Sequence, residues 1–482
     1  MRDRRALFSA AGVYTLTTIV TKIAAFFLYP VYARHITPGE YGILGLVDMI
    51  NGILFILLTF GLGGAVNRFY ADYAKEPEKL KEYLGVILVF LIIIPFVFIL
   101  LLDLNGEAIF NKLLNIKSVS YSPYIKFGVW SIYFSIWSII PLSLLVMRGA
   151  AKLYFWMSTI SYVITQVLII YFVVWKQEGA NGFLLAGLSS SIIMGIIYLA
   201  MSASEIKISY NLQFLFDSLK FSFPLIPHLA AQWALVLIDR YILEKMRPLS
   251  DVGIYSLGYQ LALIIQVVGN GISNAWAPYF YMHAENATKE IKDQFGKLQL
   301  EFLSVITFIG AIGVVFSEDV VRFLFPQIYH ESAQVIPVII LSYVIFGIYL
   351  MIVPAIFYCK QHKLVPVFTL FAAVVNIMLN LIWIPSYGII GAAYATVLGY
   401  LALLLPIVWW SEKVYPINRK FLPSVLVISG FLFVFLLWAT GGFNTLNIIF
   451  KLVLCLGYGS MILFVVFGGW RGLIMRFKTE KQ

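Results

Sequence analysis

Fourteen predominantly apolar stretches follow one another along the chain, at roughly 7–30, 41–62, 84–102, 124–146, 154–175, 182–203, 221–243, 252–275, 298–316, 336–358, 365–384, 388–410, 421–438 and 448–467. Most approach the roughly 20 residues that carry an α-helix across a bilayer. In hydrocarbon a backbone must satisfy its own hydrogen bonds, so such stretches fold as helices. The sequence therefore predicts an all-α polytopic membrane protein with about 14 transmembrane helices. Composition agrees: 12% of the 482 residues are charged and 61% are hydrophobic, against about 25% charged in soluble domains. The connections are short, and none is long enough to form a separate soluble domain.

The net charge of +10 is distributed by topology. With both termini in the cytoplasm, the inner segments hold 23 Lys and Arg and the outer loops hold 7. The remaining four, Lys22, Lys126, Arg240 and Lys451, lie in or at the edges of spans. This is the positive-inside bias, and it predicts a multi-pass cell-membrane protein with cytoplasmic termini and no nucleic-acid partner. The start, MRDRR before an apolar run, mimics a signal peptide. The run is long, contains Lys22 and lacks a cleavage site, so it is read as the first span. Cys359 and Cys455 form no spaced framework. The glycosylation pattern Asn286-Ala-Thr288 falls in a loop assigned to the cytoplasm.

The chain also repeats itself. Glu40-Tyr-Gly42-Ile43-x-x-Leu46 answers to Asp251-Val-Gly253-Ile254-x-x-Leu257 at an offset of 211. Gly61-x-x-x-Ala65 answers to Gly271-x-x-x-Ala275 at 210, and Lys152-Leu153 to Lys363-Leu364 at 211. Gly179-x-x-Gly182-x-x-x-Ala186 answers to Gly388-x-x-Gly391-x-x-x-Ala395 at 209. Each match falls at an equivalent span edge. The expected organisation is two six-helix lobes, 1–204 and 205–412, followed by a helical pair and basic tail at 413–482. An even number of spans per lobe makes the repeat parallel, with a central cavity between the lobes.

Charged residues within spans mark candidate function, because each costs about 2.5–3.5 kcal/mol at a span centre. Lys22, Asp48, Asp239 and Arg240 are such residues, placed by the topology in the outer half. Either the cations snorkel or pair with the carboxylates, or the carboxylates position the cations in a cavity wall. In the seventh span Pro224, His228, Gln232, Leu235 and Asp239 share one helical stripe. The eighth adds Tyr259, Gln266, Asn270, Ser273 and Asn274 as a second lining stripe. The fifth carries Ser158, Ser161, Tyr162, Thr165 and Gln166, and the eleventh Asn376 and Asn380, where hydrogen bonding between helices is the simpler account. Pro224 and Pro227, at the inner end of the seventh span, are candidate hinge positions. There is no Walker loop, no HExxH and no paired metal-ligand spacing. No catalytic residue, metal or cofactor is expected, and the chain is not read as an enzyme.

Several segments resemble the Wzx-type polysaccharide flippases of the multidrug/oligosaccharidyl-lipid/polysaccharide (MOP) exporter superfamily. They are Tyr32-Ala-Arg34-His-Ile-Thr37-Pro38-Gly39-Glu40-Tyr41-Gly42, Gly61-Leu62 through Asn67-Arg68-Phe69-Tyr70, and Lys220-Phe-Ser-Phe-Pro224-Leu-Ile-Pro227. Asp239-Arg240-Tyr241, Val252-Gly253-Ile254-Tyr255 and Ala275-Trp276-Ala277-Pro278-Tyr279 continue it in order. His35-Ile36 departs from the more apolar pair expected there. The resemblance implies alternating access for a polyprenyl-pyrophosphate-linked oligosaccharide bound for cell-surface polysaccharide. It implies membrane lipid, glycosyltransferases and a polysaccharide polymerase as partners. Within the superfamily the alternatives are a lipid II flippase and a cation-coupled multidrug exporter. A membrane-embedded glycosyltransferase or polymerase would need a large polar loop with acidic residues, and the sequence has none.

Overall fold

Helix is the only regular secondary structure among the described residues of the computed structural model. These cover the backbone of 2–113, 115–116, 118–285, 287–443 and 447–467, and side chains from residue 12 onward. The side chains of Arg2, Arg4 and Arg5, the residue Asn286 and the basic tail 468–482 lie outside the described residues.

The first half of the chain forms α1 (Arg2–Ala33), α2 (Pro38–Thr59), α3 (Leu62–Tyr73), α4 (Pro77–Leu104) and a single turn, α5 (Gly106–Ala108). It continues with α6 (Lys126–Ile136), α7 (Ile139–Met147), α8 (Ala151–Ile169), α9 (Gly179–Ser202), α10 (Leu212–Ser222) and α11 (Ile226–Met246). The rest comprises α12 (Leu249–His283), α13 (Lys289–Leu324), α14 (Ser332–Tyr358), α15 (Leu364–Val414), α16 (Phe421–Ala439) and α17 (Ile448–Phe467). Among the described residues, 13 helical stretches are long and apolar enough to cross a membrane. The longest is α15, whose Gly388 has φ 57° and ψ −134°. Counted on either side of that break it supplies the expected eleventh and twelfth spans, and the count reaches fourteen.

The chain divides into two compact units. One comprises 1–256 and 377–389, the other 257–376 and 390–482. In the second unit α13 packs against α14, α16 and α17, so the C-terminal pair is tied to a long central helix. Lys451 of α17 reaches Asp319 of α13 at 2.6 Å, and Tyr458 donates to the Val427 carbonyl at 2.9 Å. An aromatic cluster of Trp276, Phe280, Phe295 and Tyr415 forms part of the core of this unit. Its polar atoms are satisfied, Trp276 by the Met351 carbonyl at 2.7 Å and Tyr415 by the Ala284 carbonyl at 3.0 Å.

In the first unit, the repeat segments show why they carry glycine. Thr37 and Glu40 close a capping box on α2, with Pro38 in its first turn. Gly42 of α2 lies so close to α12 that a Cβ would sit 2.2 Å from the Leu249 carbonyl oxygen. Reciprocally, a Cβ on Gly253 of α12 would sit 1.8 Å from the Pro38 carbonyl oxygen. Pro38 and Leu249 share the 211-residue offset of Gly42 and Gly253, so the two helix starts clasp each other symmetrically. Only glycine permits this approach. The pair that opens the sixth and twelfth spans is likewise matched, with Gly179 at φ 54° and Gly388 at φ 57°. Glu40 accepts from the Ala180 N–H beside Gly179 at 3.2 Å. Its repeat partner Asp251 holds Arg247 at 3.2 Å, and that guanidinium borders Gly388. The third pair diverges. Phe60 and Gly61 are left-handed and separate α2 from α3, whereas α12 runs through Gly271 unbroken.

Substituting Gly253→Ala is expected to push α12 from α2 and to destabilise the protein by about 1–3 kcal/mol, the usual cost of overpacking. Gly39→Ala meets open space and should leave the thermal midpoint of the detergent-solubilised protein unchanged. Equal midpoints for the two variants would show that the clasp is not close-packed.

Candidate functional site

A carboxylate buried in a membrane helix needs donors, and Asp239 of α11 has three. One carboxylate oxygen accepts from the Arg240 backbone N–H and from Arg240 Nη1, each at 2.8 Å. The other accepts from the Tyr255 hydroxyl of α12. Arg240 Nη1 also donates to the Val236 carbonyl at 2.6 Å, and its guanidinium lies 5.5 Å from the Tyr255 ring centre. Asp239 is 1% exposed and Arg240 3%. Arg240 therefore does not snorkel; it forms a buried, neutralised pair.

Lys22 and Asp48 are placed differently. Leu46, Val47, Met49 and Ile50 around Asp48 are buried, while Asp48 itself is exposed. Its charged neighbours are Arg240 first and Lys22 second, and the Tyr29 ring of α1 also senses its charge. Lys22 is exposed, and neither it nor Asp48 makes an ion pair within 4 Å with a described residue. Tyr162 of α8 lies near Tyr29, and its hydroxyl has no hydrogen-bond partner among the described residues. Asn51 Oδ1, one turn from Asp48 on α2, is in the same condition. Tyr32 binds Gln166 at 2.5 Å, tying α1 to α8, and Trp233 donates to the Met49 carbonyl at 2.9 Å, tying α11 to α2.

The structure thus gathers Lys22, Asp48, Asp239 and Arg240 on α1, α2 and α11. His228 is half-buried with an unpartnered Nδ1, and Gln232 is exposed. Gln266 is half-buried and Asn270 exposed on α12, in the other unit. Pro224 sits in the first turn of a 3₁₀ segment, Phe223–Leu225, and Pro227 in the first turn of α11. Ser222, Phe223, Leu225 and Ile226 all keep helical dihedrals, so Leu212–Met246 is one span that tightens to a 3₁₀ turn at its two prolines, with the Ile226 N–H donating to the Phe223 carbonyl. Tyr255, Tyr29 and Trp233 were not legible as site residues. The signal available for Tyr255 was that a carboxylate inside a span recruits donors when buried.

Residues 7–284 match the family model described as "Polysaccharide biosynthesis protein". The chain belongs to this polysaccharide biosynthesis protein family. Residues 224–382 also match the MatE model. Among curated relatives, "Lsg locus putative protein 1" of Haemophilus influenzae is 23% identical over 85% of this chain and 98% of its own length. "Probable low-salt glycan biosynthesis flippase Agl15" of Haloferax volcanii is 23% identical over 77% of this chain and 76% of its own. Two solved structures share the fold of this polysaccharide biosynthesis protein. The lipid II flippase MurJ in an inward closed conformation superposes with a TM-score of 0.75, at 16% identity, over 96% of this chain and 99% of that one. An inward-facing multidrug resistance MATE family transporter of the MOP superfamily gives 0.65, at 12% identity, over 82% and 98%. The chain is a multi-pass membrane protein with the MOP transporter fold.

Asp239→Asn is expected to leave Arg240 buried without its counter-charge, at a cost of about 3–5 kcal/mol. The double variant Asp239→Leu, Arg240→Met should recover most of that loss. Unfolding of the solubilised variants measures both, and additive losses would show that the pair is not coupled.

Proposed function

We propose that the protein is a flippase that carries a polyprenyl-pyrophosphate-linked oligosaccharide from the inner to the outer leaflet of the cell membrane by alternating access. The observation that carries this reading is the accessible Lys22 at membrane depth, beside an accessible Asp48 and unpartnered polar groups, in a polysaccharide biosynthesis family member. The named flippase relative supports the substrate class. An accessible ammonium offers the pyrophosphate a counter-charge, while Asp239 commits Arg240 to holding α11 against α12. With both termini inside, a doubly charged headgroup moving outward is favoured by about 4.6 kcal/mol at 100 mV, from about 2.3 per charge. Hydroxyls crossing bare hydrocarbon would each cost several kcal/mol, which a polar path removes. The two six-helix lobes of the repeat, 1–204 and 205–412, are the bodies that would rock. Gln232, His228, Gln266 and Asn270 are proposed to line the path, and glycosyltransferases and a polymerase to act before and after it.

Lys22→Ala should lower glycan export at least tenfold at unchanged abundance, and Lys22→Arg should retain part of it. In the same cells, cysteines replacing Glu107 and Lys176 should label from outside, and those replacing Lys75 and Glu285 should not. Normal export by Lys22→Ala would remove the headgroup role, and reversed labelling the orientation.

The 3₁₀ turn Phe223–Leu225 is the bend proposed to change between states, with Pro224 and Pro227 withholding two N–H groups from the helical ladder there. Pro227→Ala restores an N–H and should slow the exchange without affecting insertion. Distances between spin labels on α1 and α10 decide this; an unchanged two-state distribution makes the junction a fixed wall.

A second reading, cation coupling, is favoured by the accessibility of Asp48 without an ion-pair partner. Export by Asp48→Asn that no longer responds to an imposed proton or sodium gradient would support it.

A further inference from the structure

One end of the second unit carries an open cavity of about 590 Å³, between the last turns of α13, the first turn of α14, α15 just beyond Gly388 and the C-terminal end of α16. Its size lies within the range of small-molecule sites, about 300–1,000 Å³. The lining combines Glu318, Arg322, Glu331, Gln334, Tyr394 and Trp438.

We infer that this cavity is a binding site for a pyranose ring, and that in the proposed flippase it receives the sugar end of the exported glycan. Three observations carry the chemistry. First, Trp438 and Tyr394 are half-buried, so each keeps ring surface available to the C–H face of a sugar. Second, the side chains of Glu331 and Gln334 are exposed and make no hydrogen bond with a described residue, leaving acceptors and donors free for hydroxyls. Third, the charge is wrong for a phosphate. The Arg322 guanidinium is committed to Glu318 at 2.5 Å, and Glu331 adds a carboxylate with no partner among the described residues. His330 turns its Nε2 to the Phe325 carbonyl at 3.2 Å. A cavity with one carboxylate in excess repels phosphate oxygens and accepts from hydroxyls. Its chemistry is the opposite of a headgroup site: it selects the neutral part of a lipid-linked glycan.

The helix ends that form the cavity adjoin connections that the charge bias assigns to the outer face. The identity of the sugar as exported glycan rests on the flippase reading; the affinity for a pyranose does not. The test uses full-length protein in lipid nanodiscs and the methyl glycosides of glucose, galactose, N-acetylglucosamine and glucuronic acid, read by saturation-transfer NMR. At least one glycoside is expected to bind, Trp438→Ala and Glu331→Gln each to weaken it at least tenfold, and Trp438→Phe to retain most of it. Lys22→Ala should leave this binding unchanged, and inorganic pyrophosphate should not compete. Absence of binding by all four glycosides, competition by pyrophosphate, or undiminished binding in both weakening variants would overturn the inference. Glycoside binding with normal export by Lys22→Ala would instead leave the site standing and remove the headgroup reading.

Discussion

Every backbone N–H and C=O placed in hydrocarbon must find a partner within the protein, and the architecture follows from that requirement. It makes helices of all the long apolar stretches and leaves a question only where a helix stops. The stops are answered individually. At Gly179 the chain turns with positive φ, and Glu40 takes the next free N–H. At Gly388 it turns the same way beside Arg247, which Asp251 holds. Between α10 and α11 the two prolines fall at a 3₁₀ turn, where the Ile226 N–H takes the Phe223 carbonyl. The breaks are therefore placed at residues whose chemistry tolerates them.

Charge follows the same logic with larger numbers. An isolated buried carboxylate would cost several kcal/mol, and Asp239 meets three donors drawn from two helices. Its neutralised pair with Arg240 joins α11 to α12. Lys22 and Asp48 are left accessible, which is why they and not the buried pair carry the proposed headgroup role. Adjacent positions in the sequence, Asp239 and Arg240, thus serve structure, while the pair proposed for function comes from two different helices.

The two candidate ligand sites differ in sign. The site proposed around Lys22 in the first unit presents an ammonium, and the cavity in the second presents carboxylates and aromatic rings. A lipid-linked glycan has one anionic end and one hydroxyl-rich end, so a protein that handles it needs both chemistries.

The number and type of the spans were determined by the sequence alone, because apolar length and backbone satisfaction are local properties. The repeat was legible too, since Gly42 with Gly253 and Gly179 with Gly388 recur at nearly one offset. The four intramembrane charges stood out for the same reason: any charge in a span is an anomaly. Sequence could not separate their roles, because burial depends on which helix covers a residue. Only the tertiary structure placed Tyr255 against Asp239, 16 residues away. It alone set the Gly42 and Gly253 surfaces against the carbonyls of Leu249 and Pro38. Likewise, Glu331, Gln334, Tyr394 and Trp438 lie on three helices that only packing brings together. What a helix is can be read along one chain direction; what it faces is settled by contacts between different helices, from 16 to more than 200 residues apart, which no local pattern encodes.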